Sequence, residues 1–414
     1  MSIEGAKPMG PIPAGYAADA QGVLLVGGRP VTEWIDEAGD TPLFLYDAAR
    51  LAARFAELRA AMPYGLGLHY AMKANPHPDV VALLGEAADG LDIASGGELA
   101  IAAEVGVDPA KISFAGPGKR DRELAAGLDA GVTFNCESEG EAARILAIAA
   151  EKAVRPKVAV RVNPDFDLKG SGMKMGGGAK PFGVDAGRVP ALVRALIDGG
   201  ADWRGFHIYA GSQALDADAV AEMQAATLRL AAKLGEAAGA APPHVNLGGG
   251  FGIPYFPGDT PLDVARVGAR LRESLGQRAP ILGNTAFSIE LGRWLVGEAG
   301  VYLTRIVDRK ISQLQTFLVT DGGLHHQLAA SGNFGTVVRR NYPVAVATRF
   351  AEPATEVASV VGCLCTPLDL LANQIALPRA EPGDIVAVFQ AGAYGASASP
   401  AAFLGQGPAR ERLV

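Results

Sequence analysis

At 414 residues the chain exceeds the usual size of one hydrophobic core, so two domains are expected. It is 49% hydrophobic and 20% charged, and a net charge of −7 excludes the basic footprint of a nucleic-acid binder or a polybasic membrane anchor. No apolar run reaches membrane-spanning length, residues 1–20 lack a basic start followed by an apolar core, and the three cysteines make no disulfide framework, so the expected address is cytoplasmic.

In chain order, residues 1–20 read as a loose end, as do residues 405–414. Val31–Tyr46, within an N-terminal segment spanning residues 1–46, is expected to pair with a later domain. From about residue 66, short β-like runs alternate with alanine-rich helical stretches. The predicted strands are Leu68–Met72, Gly90–Ala94, Ile112–Ala115, Val132–Asn135, Val158–Val162, Gly205–Tyr209, Val245–Leu247 and Phe287–Leu291. Between them lie helical patterns such as Glu98–Glu104, Asp121–Ala130, Glu139–Ala153, Arg188–Asp198, Ala217–Ala238 and Pro261–Leu275. This α/β alternation predicts a parallel (β/α)8 TIM barrel over residues 47–294. An open doubly wound sheet competes with it, but that arrangement's Gly-x-Gly-x-x-Gly after the first strand is absent. Residues 295–414 change texture: strand-like runs at Gly300–Asp308, Gln315–Thr320, Ala345–Thr348, Thr355–Val361 and Ile385–Phe389, separated by turns, predict a C-terminal, mostly β domain.

Chemistry in such barrels sits at the C-terminal strand ends, and unusual polar residues collect there. Lys73 ends the first strand, and Asp92, Ser95 and Glu98 lie on or after the second. Arg161 and Asn163 end the fifth, and His207, Tyr209 and Ser212 lie on or after the sixth. Gly248, Gly249 and Gly250 follow the seventh, while Glu290 and Arg293 close the eighth. A lysine so placed either snorkels to water or forms a Schiff base with a carbonyl cofactor. Three glycines after a strand make a plain turn or expose backbone N–H groups to a phosphate. Glu290 either pairs with Arg293 at the surface or holds a proton on a pyridine nitrogen. Tyr209 either fills core or stacks on a ring. Together these pieces suit pyridoxal 5′-phosphate.

The ordered motifs Tyr70–Asn75, Leu91–Glu98, His207–Gln213, Asn246–Gly252, Glu290–Arg293, Gly362–Asp369 and Gly392–Tyr394 resemble those of the fold-type III pyridoxal-phosphate decarboxylases, the family of diaminopimelate, ornithine and arginine decarboxylases with an alanine-racemase-like barrel. The resemblance covers roughly residues 40–404. It implies that Lys73 carries the cofactor, that Glu290 partners the ring nitrogen, and that Gly248, Gly249, Gly250, Ser212 and Tyr394 form the phosphate site. Arg293 is placed near phosphate or substrate, and Asp92, Arg161 and Tyr209 near the cofactor. Cys365 corresponds to a cysteine that reaches in from a second subunit to protonate the substrate carbon, with Asp369 in the same crossing segment. A homodimer with shared active sites follows.

Departures from the pattern bear on substrate. A histidine that stacks on the cofactor in relatives is Tyr209 here, and an acidic residue after the motif cysteine is Thr366. The segment Asp321–Asn333 places Ala329 where diaminopimelate decarboxylases carry an arginine for the distal carboxylate. A charged distal group loses its strongest contacts in such a pocket. This variant resembles the branch of exosortase-associated decarboxylases and of decarboxylases of glutamate tethered to an acyl carrier protein. Diaminopimelate decarboxylation is the alternative. His325 is expected to position substrate or line the dimer interface; a metal shared with His326 is disfavoured because neighbours on a strand face opposite ways. A racemase would pair the ring nitrogen with arginine rather than Glu290, and a non-catalytic descendant would have no use for Lys73.

Overall fold

The computed structural model describes residues 3–168, 170, 172–174, 176–332 and 340–414. The chain divides into two compact units, one of Arg54–Ile253 and Pro261–Gly292, the other of Met1–Ala53, Pro254–Thr260 and Arg293–Val414.

The first unit is the closed barrel. Its strands are β1 (Gly67–Ala71), β2 (Gly90–Ile93), β3 (Ile112–Phe114), β4 (Thr133–Cys136), β5 (Lys157–Asn163), β6 (Asp202–Ile208), β7 (His244–Asn246) and β8 (Ala286–Leu291). Each pairs in parallel with the next, and Ser288–Leu291 of β8 pairs with Gly67–Tyr70 of β1 to close the ring. The period-two alternation of strand side chains sends Leu91, Phe134, Val160 and Ile289 outward beneath the helices. The inner face is unusual: barrels of this kind are mostly filled by branched aliphatics. Here each strand contributes a polar residue to the interior: His69, Asp92, Ser113, Asn135, Arg161, His207, Asn246 and Glu290.

Helix packing around the barrel leaves no slack at one point. The helix Val264–Gly276 passes so near Ala48–Ala61 that a Cβ at Gly268 would lie 2.0 Å from the Ala61 carbonyl oxygen.

The second unit is built on β9 (Gly300–Ser312), a 13-residue strand. Its first half lies between β14 (Ile385–Phe389) and Leu43–Tyr46, and its second half returns as a hairpin onto β10 (Gln315–Thr320). The hairpin turn places Gln313 and Leu314 at φ of 48° and 66°, the left-handed pair that matches strand twist. Beyond β10 follow β12 (Glu356–Val361) and β13 (Leu370–Leu377), and β11 (Val344–Val346) borders β14. Leu24, Val31, Ile35, Leu45, Val301, Leu303 and Phe389 form its core.

The strand Leu370–Leu377 is an addition to the sequence-derived set. Within Val31–Tyr46 only Leu43–Tyr46 joins the sheet, because Val31–Ala38 forms a helix burying Val31 and Ile35. Both expected loose ends are corrected. Arg410–Leu413 adds a parallel strand beside Leu43–Tyr46, Met9 bridges to Asn341, and the half-buried Tyr16 donates its hydroxyl to the Glu298 carbonyl. A terminal strand is fixed by partners distant in sequence, which local composition does not reveal.

Gly268→Ala is expected to destabilise the protein by about 1–3 kcal/mol through overpacking. Gly187→Ala, at an exposed glycine whose added Cβ meets nothing within 4 Å, should stay within about 0.5 kcal/mol. Urea unfolding of both variants checks the contrast.

Candidate active site

The C-terminal end of the barrel gathers the expected residues of the first unit. Lys73 follows β1 in the short turn Met72–Ala74, which Tyr70 locks by donating its hydroxyl to the Asn75 carbonyl at 2.7 Å. Pro78 then opens the next helix with the fixed φ suited to its first turn. The lysine is exposed, and its Nζ lies 5.3 Å from the centroid of the half-buried Tyr209 ring. After β2, Ser95 and Glu98 form a reciprocal cap: Ser95 Oγ accepts the Glu98 N–H, and Glu98 Oε2 accepts the Ala94 N–H. Burial pushes the Glu98 carboxyl up, and Lys73 pulls it the other way.

Glu290 is the electrostatic centre. Its Oε2 lies 2.9 Å from His207 Nε2 and accepts from Asn246 Nδ2 at 3.0 Å. Burial opposes its ionisation, but His207, Lys73 and Arg161 outweigh burial and hold the carboxyl well below the usual range. It is therefore an anion at neutral pH. Arg161 is itself held by Glu137 at 2.8 Å, and Glu137 also accepts the N–H groups of Gly116 and Gly183. Glu137 is a site residue that the sequence reading missed. Its signal was available, since it directly follows β4 at the same end of the barrel. Asp92 sits deeper, its carboxylate accepting from Ser113 and lying 3.3 Å from His69 Nδ1.

The glycine loop after β7 is cut to shape. Asn246 Oδ1 accepts the Gly248 N–H, whereas among the described residues nothing accepts those of Gly249 and Gly250. Gly248 and Gly250 take φ of 71° and 81°, and a Cβ at Gly249 would lie 1.9 Å from the Glu290 carbonyl oxygen. The loop is tied to the segment after β6 by Ala214 N–H to Gly250 O and Gly252 N–H to Ala214 O. Ser212 lies in that segment, in a two-residue strand paired with Met173–Lys174.

In the second unit, Arg293 stands out as a half-buried cation. Its Nη1 donates to the Tyr255 hydroxyl at 3.1 Å, and its guanidinium lies 4.8 Å from the Tyr394 ring centroid. No carboxylate among the described residues pairs with it, and its Nε has no partner. Burial acts to lower its pKa, and the surrounding tyrosines more than reverse that. Cys365 is exposed, and the Thr366 hydroxyl accepts the Leu368 N–H in the same turn. Asp369 is buried. Its oxygens accept the N–H groups of Leu324 and Leu364, fixing the two loops that carry His325 and Cys365. His325 is fully buried, its ring 3.8 Å from that of His326, and neither of its nitrogens has a partner among the described residues. Asn333, the last residue of the segment Asp321–Asn333, lies outside the described residues.

Comparison with known proteins agrees with this geometry. Residues 48–297 match the family described as pyridoxal-dependent decarboxylase, pyridoxal binding domain. The chain is 35% identical over 375 residues to an L-glutamyl-[BtrI acyl-carrier protein] decarboxylase of Niallia circulans, covering 88% of this chain and 87% of that one. It is 32% identical over 390 residues to the diaminopimelate decarboxylase of Methanothermobacter thermautotrophicus, with 92% and 88% covered. Among solved structures, diaminopimelate decarboxylase from M. jannaschii in co-complex with L-lysine superposes with a TM-score of 0.85 at 25% identity, over 96% of this chain and 92% of that one.

The chain belongs to the fold-type III pyridoxal-dependent decarboxylases, the family of the diaminopimelate and ornithine enzymes. It is a carboxy-lyase acting on an amino acid or its acyl derivative, with pyridoxal 5′-phosphate as cofactor. The residues present fit that group: two unaccepted backbone amides in a loop without side chains suit a phosphate, and a buried carboxylate held as an anion suits a protonated ring nitrogen.

Gly249→Ala forces the loop away from β8, at a cost of about 1–3 kcal/mol, which corresponds to roughly 5- to 100-fold weaker cofactor binding. Titration of cofactor-free protein with pyridoxal phosphate, followed by absorbance, measures the loss.

Proposed function

We propose that the enzyme removes the α-carboxyl of a glutamyl-like group tethered to an acyl carrier protein, acting in the cytoplasm as a homodimer with shared sites. The observation that carries this reading is the pairing of 35% identity to a carrier-protein glutamyl decarboxylase with Thr366 and Ala329 at positions where a charged distal group would be held. A tethered substrate presents a neutral thioester at its far end, so a pocket without those charges loses nothing.

In this reading Lys73 would hold the cofactor through its Nζ. Gly248, Gly249, Gly250 and Ser212 hold the phosphate, and Tyr209 covers a ring face. Pyridoxal phosphate, when bound, supplies a sink for the electron pair left at Cα as CO2 departs. Glu290 keeps the proton on the ring nitrogen, with Arg161 and His207 holding Glu290 ionised. Arg293, a cation without a carboxylate, receives phosphate or a substrate carboxylate, with Tyr394 over its guanidinium. Cys365, exposed on its turn, delivers a proton to Cα in the partner's site. His325 and Thr366 line the substrate, while Asp369 positions the loops that present them.

The second reading is diaminopimelate decarboxylation, favoured by relatives such as that of Methanothermobacter thermautotrophicus. CO2 release by cofactor-loaded protein decides between them. Release from glutamyl-loaded carrier protein and not from free diaminopimelate, ornithine, lysine, arginine or glutamate is the expected result. Efficient turnover of free diaminopimelate would replace the tethered reading while leaving the cofactor chemistry intact.

Lys73→Ala should abolish CO2 release. Cys365→Ala should lower kcat by about 10²–10⁴-fold, the usual worth of a positioned acid, without changing the cofactor's absorbance. Single-turnover CO2 release measures both.

A further inference from the structure

The polar filling of the barrel continues below the site just described. His69, inward-facing on β1, is the register neighbour of Glu290 on β8 and of Gly90 on β2. Gly90 has no side chain because the imidazole occupies its place: a Cβ there would lie 2.5 Å from His69 Nε2. The ring's other nitrogen lies 3.3 Å from Asp92 Oδ2, and Asp92 in turn accepts from Ser113, which accepts from Asn135 Nδ2 at 3.0 Å. On the opposite side the imidazole stacks on His244, with ring centroids 6.0 Å apart and planes 10° from parallel.

Of these groups His69, Ser113, Asn135 and His244 line a cavity of about 160 Å³. Its rim is formed by the exposed residues Asp89, Lys111 and Arg204 at the N-terminal ends of the strands, and its inner wall by Asn135 and Asn246. Asn246 is the donor to Glu290, so the cavity reaches within one side chain of the catalytic carboxylate. A polar cavity of this volume accommodates several ordered waters, each occupying about 30 Å³.

We infer that His69, held in place by Asp92, is a positioning residue that exchanges protons between the N-terminal mouth of the barrel and the Glu290 environment, and so sets the ionisation of the cofactor's ring nitrogen from beneath. The role rests on the assignment of this site to pyridoxal phosphate. The groups facing His69 are Asp92 and Asp89 from the second strand and its approach, Glu290 from the eighth and His244 from the seventh. Burial opposes a charge on His69, but the carboxylates of Asp92, Glu290 and Asp89 outweigh it and raise its pKa. Burial and the adjoining His69 push His244 down to about 3. Of the stacked pair, the ring nearer Glu290 is therefore the one that takes up a proton more readily. Because the folded chain binds that proton more tightly than the unfolded one, its stabilising contribution is full below the unfolded pKa of about 6.5 and disappears as pH rises through the folded value.

Two measurements on cofactor-loaded protein test the inference, neither of them activity. The first follows the imidazole nitrogens by NMR in protein labelled at its 6 histidines. His69 is expected to titrate above the free-histidine range, with a lower midpoint in Asp92→Asn and also in Glu290→Gln. The second follows the cofactor absorbance band against pH. His69→Gln is expected to move its midpoint by at least about half a pH unit, and Gly90→Ala, which crowds the imidazole while removing no titratable group, should move it in the same sense. Thermal unfolding identifies a variant that has merely lost its fold. A His69 signal indifferent to Glu290→Gln, or folded His69→Gln and Gly90→Ala proteins with the wild-type band midpoint, would overturn the role. Failure to bind pyridoxal phosphate at all, in the wild type, would instead remove the functional reading beneath it.

Discussion

A carboxylate anion kept inside a β-barrel is the constraint that organises this enzyme. Glu290 is 4% exposed, and an unpaired charge at that depth costs several kcal/mol. The barrel accommodates it by abandoning the aliphatic filling usual for the fold. Asn246 and His207 touch the carboxylate, Arg161 and Lys73 add positive charge, and Glu137 keeps the Arg161 guanidinium in place. Inner positions that would otherwise hold valine or leucine are given to amides, hydroxyls and imidazoles. The same alternation that turns apolar residues outward to the helices turns these inward, so fold and electrostatics share one pattern.

That arrangement explains the glycines better than loop flexibility does. Gly249 passes against the carbonyl of Glu290 itself, so the phosphate cradle and the ring-nitrogen partner are fixed by one close approach. Moving either moves both. Gly90 performs the same service one layer down, leaving room for His69. In the second unit, Gly323 and Gly362 leave room for the Asp369 carboxylate, whose bonds to Leu324 and Leu364 set the loops carrying His325 and Cys365. Such positions are close contacts between backbones or between backbone and side chain, where a methyl group cannot be admitted.

The alternation of strand and helix patterns made the barrel legible in the chain, because period-two and period-3.6 patterning are local properties of consecutive residues. Lys73, Glu290 and the glycine triplet were legible for the related reason that each lies at or just past the C-terminal end of a strand. Glu137 also follows directly on a strand but was not singled out, because its role shows only once the fold brings Arg161 against it. The bonds that Asp369 accepts from Leu324 and Leu364 were not legible, because a carboxylate in a motif looks the same whether it meets a ligand or two backbone amides.

By itself, then, the sequence determined the fold class, the family and the strand ends at which chemistry occurs, all of which depend on order and spacing along the chain. Tertiary structure alone decided that Arg410–Leu413 is a strand, that Arg161 is held by Glu137, and that His69 lies beside Glu290 and against Asp92. Those facts join residues from about 20 to several hundred positions apart, and only the closed ring of strands and the completed sheet bring them within reach of one another.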